Sequence, residues 1–177
     1  MLKNIYDYAI NNNFVTVNLA EKTILPKKKT NKRRGLTDKE KQAVFDNFDK
    51  FSRFEQGLLM LLYYTGVRRN EILALQKKDI DLKKKIINVH KTISTDKNYK
   101  PIVQNQTKTL AGMRIIPITT QLEDFLKDYL KPLKDEDFLF LSKKGELVRS
   151  SLFAYRWKKI LSKINKCLPP NEPTNIT

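Results

Sequence analysis

The sequence predicts an α+β fold that is mostly helical and contains a small three-stranded antiparallel sheet. Apolar residues recur at helical spacing near both ends of the chain, whereas the middle changes to short runs such as Ile86-Ile87-Asn88-Val89, which are typical of strands. Several short strands in succession beside helices favour an antiparallel sheet over alternating βα units.

The helices are predicted from apolar periodicity together with start and stop residues. Thr37 and Glu40 match a capping box, Gly66 interrupts a strongly apolar helix, and Pro132 follows the end of another. The predicted helices cover residues 2–10, 38–48, 52–64, 68–75, 119–130 and 150–164. The last of them is expected to be capped by Ser150 or Ser151, and that over 119–130 by Thr119 or Thr120.

Three strands are predicted between the helices. The first covers residues 86–93, the second about 101–108 and the third 113–118, the last two joined by a turn through Leu110-Ala111-Gly112. Asp79 and Asp81 precede the first strand. This carboxylate pair is compatible with a Mg²⁺ site, but a helix-to-strand turn explains it at least as well.

The composition excludes several classes of protein. The 177 residues contain 40% hydrophobic residues, which is enough to bury a core. Cys167 is the only cysteine and His90 the only histidine, so an intrachain disulfide and a usual zinc site are excluded. No apolar run is long enough to span a membrane and no secretion signal is recognisable. We therefore expect a cytoplasmic protein without membrane contact.

The charge predicts an anionic partner. There are 35 basic and 19 acidic residues, a formal net charge of +16, and residues 1–34 hold eight basic and two acidic residues. The densest run predicts an extended segment whose cations contact nucleic acid phosphates. A solvated linker without a partner is the alternative. The candidate DNA-binding residues are Lys27, Lys28, Lys29, Lys32, Arg33 and Arg34.

The segment from Tyr64 to Leu75 is the most informative in the chain. An apolar helix ends at Gly66, and a new helix is predicted to begin with Arg68 and Arg69. Because a helix start attracts anions, an arginine there indicates a phosphate ligand that its planar guanidinium can hold at two oxygens. Glu71, three residues on, is placed to steady Arg68. An ordinary exposed ion pair is the alternative, which spacing alone favours.

Four motifs in order resemble the tyrosine recombinase family, the phage-type integrases. Residues 65–75 match T-G-x-R-x-x-E-[IL]-x-x-L, which is similar to its first catalytic box, and residues 36–40 match its L-T-x-x-E entry. Asp79-Ile80-Asp81 resembles the start of its sheet, and residues 106–118 resemble its β-hairpin. The resemblance covers nearly all of the chain. It implies that residues 1–34 are the end of a core-binding domain plus the interdomain linker, and that residues 35–177 are the N-terminal part of the catalytic domain.

The resemblance also implies a mechanism. Family members cut and rejoin double-stranded DNA through a 3′-phosphotyrosine intermediate, without cofactor or metal, as assemblies of several subunits on DNA. By this resemblance Arg68 stabilises charge on the phosphate, Lys108 protonates the leaving 5′ oxygen, and Glu71 supports Arg68.

The sequence departs from the family pattern in two ways. Asn70 stands where the family usually has Gly, and the second box, H-x-L-R-H, and the nucleophilic Tyr that follows it have no match. We therefore assign no nucleophile in this chain and expect a truncated recombinase that binds DNA without cleaving it. The apolar helices around Tyr63, Tyr64 and Tyr129 predict that these tyrosines belong to the core.

Two other functions are compatible with the basic composition. A non-catalytic DNA-binding protein, such as a truncated recombinase that competes with an intact one, shares every feature above. A basic RNA-binding protein predicts that Arg68 and Lys108 do not converge.

Overall fold

The computed structural model describes residues 2–22, 35–105 and 113–168. The chain divides into two compact units, residues 1–33 and 34–177. The basic run at 27–34 and the predicted turn at 110–112 lie outside the described residues. The assignment of the two units to recombinase domains stays a prediction.

The first unit contains α1 (Leu2–Asn11), which confirms the helix predicted over residues 2–10. The loop after it folds back on α1, because the Asn18 side-chain amide donates to the Lys3 carbonyl at 3.3 Å and to the Asp7 carboxylate at 2.7 Å. Apolar side chains of α1, including those of Leu2 and Tyr8, remain exposed. α1 therefore contributes no buried residue to this unit.

The second unit begins with two helices that carry the same kind of cap. α2 (Asp38–Asp46) follows Thr37, whose hydroxyl accepts from the Glu40 N–H at 3.3 Å, while the Glu40 carboxylate accepts from the Thr37 N–H at 2.6 Å. This confirms the predicted capping box. Ser52 and Glu55 cap α3 (Arg53–Thr65) in the same way, and Gly66 ends it at φ +60°.

The helix predicted over residues 68–75 is much shorter than expected. It is α4 (Arg69–Ile72), a single turn. The chain leaves the helix because the Leu75 carbonyl accepts from the Leu139 N–H at 2.9 Å, and Gln76 pairs with Phe138 as an isolated β-bridge. Pairing with the buried 138–141 run thus replaces the last helical turn.

The remaining helices are α5 (Thr120–Tyr129) and α6 (Ser150–Cys167), with short 3₁₀ turns at Phe48–Lys50 and Lys77–Asp79. Thr119 and Arg149 precede α5 and α6, and neither makes a side-chain cap hydrogen bond. The predicted serine cap of α6 is therefore wrong, since Ser150 is already its first helical residue.

The strands form two small antiparallel sheets. One contains β1 (Ile80–Asp81), β2 (Ile86–Val89) and β5 (Arg114–Pro117) in the order β1-β2-β5, and the other contains β3 (Lys91–Thr95) and β4 (Pro101–Asn105). The α+β class and the three-stranded sheet are confirmed. Its membership differs from the prediction, because β1 joins it as a short strand and the second predicted strand, β4, pairs with β3 in the other sheet.

The second and third predicted strands were expected to pair as a hairpin. In the described residues they do not pair with each other. β5 pairs with β2, with Val89 opposite Arg114, whereas β4 pairs with β3, with Lys91 opposite Asn105. β2 and β3 follow one another with only His90 between them. This run of the chain is long enough to pair with both later strands.

The hydrophobic core of the second unit is built from α3, α4, α5, α6 and the three-stranded sheet. The carbonyls of Asp128 and Tyr129 accept from Arg53, which ties α5 to the start of α3. Fully buried apolar side chains include Leu58, Leu61, Ile72, Leu73, Ile87, Leu122, Leu126, Phe140, Ile160 and Ile164.

An ion pair joins α3 to α6. The Lys163 ammonium lies 2.5 Å from the Glu55 carboxylate, whose other partners cap α3. Burial raises the pKa of Glu55, but hydrogen bonds from Lys163 and Ser52 outweigh it and hold that pKa below its ordinary value.

We expect Gly57→Ala to destabilise the protein. An added Cβ at Gly57 lies 2.4 Å from Cζ of Tyr129, a buried ring stacked against Phe125. The gain in helix propensity is about 1 kcal/mol, and overpacking costs about 1–3 kcal/mol or more, so a net loss is expected. Urea denaturation measures the change in the free energy of unfolding. Gly35→Ala is the control, since a Cβ at Gly35 meets nothing within 4 Å. A stabilised Gly57→Ala variant contradicts the close packing.

Candidate functional site

Arg68 is presented to solvent by the turn that ends α3. The Gly66 N–H closes α3 on the Leu62 carbonyl at 3.1 Å, and Gly66 takes the left-handed conformation that favours glycine. Val67 is then buried, so the chain is anchored immediately before Arg68. The Arg68 side chain is 75% exposed.

A buried carboxylate holds this arginine. Glu71 is only 2% exposed; its Oε1 lies 3.0 Å from Nη1 of Arg68, and its Oε2 accepts from the Arg68 backbone N–H at 3.1 Å. The pairing of Arg68 with Glu71 that the spacing predicts is confirmed. It differs from an ordinary surface pair because one partner is buried.

A second arginine, which sequence reasoning did not single out, shares the same carboxylate. Nη2 of Arg114, on β5, lies 2.7 Å from Oε2 of Glu71, and this hydrogen bond raises the pKa of Arg114 above its ordinary value. The sequence Arg-Ile-Ile-Pro of β5 has no polar–apolar alternation, so the lower exposure of Arg114 and Ile116 is visible only in the structure.

The expected use of helix-start N–H groups by a phosphate needs correction. α4 has four residues, too few aligned peptides for a substantial dipole, and the Arg68 N–H already donates to Glu71. What remains available to an anion is the exposed guanidinium of Arg68. Within the described residues, two guanidiniums, those of Arg68 and Arg114, share the one carboxylate of Glu71.

Lys108 and the basic run from Lys27 to Arg34 lie outside the described residues. Whether Lys108 approaches Arg68 therefore stays a prediction, as do the phosphate contacts of Lys27, Lys28, Lys29, Lys32, Arg33 and Arg34.

A second ionic cluster lies at the junction of β2 and β3. The Lys91 ammonium is 2.8 Å from Oδ2 of Asp79 and 2.5 Å from Oε1 of Gln76, and both charged side chains are buried. The Gln76 N–H also donates to Asp79, and Nε2 of His90 lies 3.8 Å from Oδ1 of Asp79. Asp79 thus connects the segment before β1 to the start of β3.

The other member of the predicted carboxylate pair is also part of a turn. Asp81 accepts from the Lys84 N–H at 2.9 Å in the connection from β1 to β2. In the part of the chain that the structure describes, no group of three or more His, Cys, Asp or Glu side chains is placed to hold a metal ion.

A groove of about 1020 Å³ runs between the start of α3 and α6, and basic residues outnumber acidic ones in its lining. The Arg156 guanidinium lies 4.0 Å above the Phe54 ring, and the Lys159 ammonium 4.7 Å from the ring of the exposed Tyr155. The basic lining residues are Arg53, Lys143, Lys144, Arg149, Arg156 and Lys159, against Glu55 and Glu146. Sequence reasoning missed this groove because its cations come from separate segments.

The three tyrosines predicted to belong to the core differ in how far they are buried. Tyr129 is buried, and burial raises its pKa to about 12. Tyr64 is half-buried, but Tyr63 is 48% exposed, so its assignment to the core is wrong. Tyr63 lies on the outer face of α3, where its ring meets the rings of Phe45 and Tyr64 edge-on.

None of the helices in the described ranges is both long enough and apolar enough to cross a bilayer.

Comparison with known sequences gives a consistent family. The model of the Phage integrase family matches residues 34–173. A XerC-like tyrosine recombinase from Caldanaerobacter subterraneus subsp. tengcongensis is 25% identical over 196 residues, which cover 92% of this chain and 48% of the relative. A probable integrase of prophage ps2 from Lactococcus lactis subsp. lactis is 23% identical over 193 residues, and the match covers 97% of this chain and 50% of the relative. The chain thus spans about half the length of these relatives.

Solved structures show the same fold. The integrase of transposon Tn1549, in complex with a circular intermediate DNA, superimposes with a TM-score of 0.80 at 21% identity, covering 99% of this chain and 59% of that one. A lambda integrase dimer bound to a COC′ core site gives a TM-score of 0.59 at 17% identity, with 94% and 55% covered.

We expect Lys91→Met to cost about 3–5 kcal/mol of stability, because it leaves the Asp79 carboxylate buried without this cation. The matched control is Lys84→Met. Its ammonium lies 3.9 Å from Asp81 and its side chain is 75% exposed, so the change is expected to stay within about 0.5 kcal/mol. Chemical denaturation of both variants measures the difference. Equal effects contradict a structural role for the Asp79–Lys91 pair.

Proposed function

Because this chain belongs to the phage integrase family of tyrosine recombinases, we propose that it is part of a site-specific recombinase that cuts and rejoins double-stranded DNA through a 3′-phosphotyrosine intermediate. The observation that carries the proposal is an exposed arginine guanidinium, that of Arg68, oriented by a buried carboxylate. The solved neighbours in complex with DNA support duplex DNA as the partner.

The proposed chemistry assigns Arg68 to the scissile phosphate. When a tyrosine oxygen attacks phosphorus, the bond to the 5′ oxygen breaks and negative charge grows on the non-bridging oxygens. A guanidinium already oriented by Glu71 stabilises this charge without reorganising first. Its planar fork suits two phosphate oxygens better than an ammonium does.

The leaving 5′ oxygen needs a proton, and we assign its donation to Lys108. Neighbouring cations favour the neutral form of a lysine, so a lysine near Arg68 gives up its proton more readily than an isolated one. The nucleophilic tyrosine is not assigned, because none of the tyrosines in this chain follows an H-x-x-R motif. In the intact enzyme we expect several subunits to act together on DNA.

Two further surfaces are proposed to hold the duplex. The run from Lys27 to Arg34 provides six cations for phosphate contacts. The basic groove between α3 and α6 adds cations and the exposed ring of Tyr155. The groove lies at the start of α3 and Arg68 just beyond its end, and the helix is 13 residues long. The two are therefore separated along α3 by roughly 20 Å, about the width of a duplex.

Arg68→Ala is expected to lower the salt dependence of duplex binding by about one phosphate contact, a change of about 0.9 in the slope of log K against log salt. Fluorescence anisotropy with a labelled duplex at several salt concentrations measures the slope. Lys131→Ala is the matched control, since Lys131 is 74% exposed and also pairs with a carboxylate three residues away. A slope that Arg68→Ala leaves unchanged contradicts the phosphate contact. Tighter binding of structured RNA than of duplex DNA favours the RNA-binding alternative.

We expect this chain to bind DNA without cleaving it. A nicked suicide substrate, incubated with the chain and run on a denaturing gel, is expected to show no covalent protein–DNA adduct. An adduct shows instead that one of the tyrosines in this chain is a nucleophile, and peptide mapping of the adduct identifies it.

A further inference from the structure

We propose that Arg114 is a positioning residue: it neutralises the buried Glu71 carboxylate and so leaves the guanidinium of Arg68 available to a phosphate. The inference rests on the proposed contact between Arg68 and DNA. It assigns unequal tasks to two arginines that share one carboxylate.

The geometry separates the two arginines. Arg114 meets Oε2 of Glu71 at 2.7 Å with a side chain that is 31% exposed, whereas Arg68 meets Oε1 at 3.0 Å with a side chain that is 75% exposed. An ion pair shielded from water is stronger than an exposed one. Arg114 is therefore the tighter counterion, and the bond from Arg68 faces solvent and exchanges more easily.

The charge balance explains why a second arginine matters. A buried carboxylate that loses a cation keeps the cost of its desolvation and loses the attraction that offset this cost. If Arg114 is removed, transfer of Arg68 from Glu71 to a phosphate takes both arginines away from this carboxylate. The cost of its desolvation then opposes the transfer. With Arg114 in place, two guanidiniums face one carboxylate among the described groups of this cluster, so an anion gains from approaching it.

The fold sets Arg114 in this position. β5 pairs with β2 so that Arg114 lies opposite Val89, a buried residue, and Ile116 follows on the less exposed face of β5. The ion pair with Glu71 then ties β5 to α4. Arg114 also lies six residues after Lys108, so the same pair anchors the strand that follows the proposed proton donor.

The test is a set of charge variants in the 177-residue chain, assayed by the salt dependence of duplex binding. Arg114→Met keeps much of the side-chain volume and removes the charge. It is expected to lower the slope by about 0.9, as Arg68→Ala does, and the two changes together are expected to lower it no further. Arg114→Lys, which keeps a cation beside Glu71, is expected to retain most of the slope.

A rescue variant separates this electrostatic role from a merely structural one. Glu71→Gln removes the charge that Arg114 neutralises, so Arg114→Met combined with Glu71→Gln is expected to regain the contribution of Arg68 to the slope. Adding Arg68→Ala to this double variant is expected to lower the slope again. Thermal melting of each variant identifies those that fold. If Arg114→Met does not fold, Arg114→Lys and the combined variant carry the test.

Several outcomes overturn the inference. An unchanged slope in Arg114→Met, with a lowered slope in Arg68→Ala, excludes positioning by Arg114 and leaves the proposed function intact. A combined loss of about 1.8 in Arg68→Ala with Arg114→Met shows that Arg114 contacts DNA directly. A slope that Arg68→Ala does not change removes the phosphate contact itself, and with it both the inference and this part of the proposed function.

Discussion

The candidate site depends on one buried carboxylate, that of Glu71, and on the guanidiniums that surround it. A carboxylate in the interior is unfavourable unless donors satisfy its oxygens, and Glu71 receives them from the Arg68 backbone, the Arg68 side chain and Arg114. These contacts bring together the turn after α3, the single turn of α4 and the edge of the sheet. The interaction therefore both stabilises the junction of these elements and orients an exposed cation. One residue thus contributes both to packing and to the orientation of Arg68, so its effects on stability and on DNA binding must be measured separately.

Two basic regions among the described residues of the second unit lie at the two ends of α3. One is the arginine cluster at its C-terminal end, where a buried acid limits how the guanidiniums can move. The other is the groove beside Arg53 and Arg156, where cations lie over aromatic rings. Oriented guanidiniums suit a single phosphate at a reacting bond, whereas a wide basic groove suits the repeated phosphates of a backbone. The 13-residue helix between them sets the separation of these two regions, and buried residues such as Leu58 and Leu61 fix the helix against the core.

The family model places this chain in the phage integrase family, and the match to solved integrase structures shows that it shares their fold. The likeness to those structures, at 21% identity or less, concerns the fold. The roles of individual residues have to be argued from contacts in this chain. Those contacts favour Arg68 and Glu71 over the other charged residues, because theirs is the pair that combines a nearly inaccessible acid with a largely accessible base close to a turn.

The sequence by itself determined the α+β class, the family, the capping box of α2 and the pairing of Arg68 with Glu71. The capping box and the pairing of Arg68 with Glu71 each join residues three positions apart, where helical geometry and turn chemistry act directly. The fold class and the family follow from the order of short local patterns along the chain. Tertiary structure decided what sequence spacing does not encode. Arg114 reaches Glu71 across 43 residues because β5 pairs with β2 in one register, and Lys91 is buried on Asp79 because β3 continues from β2. The same long-range pairing shortened α4, since hydrogen bonding to the 138–141 segment competes with a further helical turn for the same backbone groups.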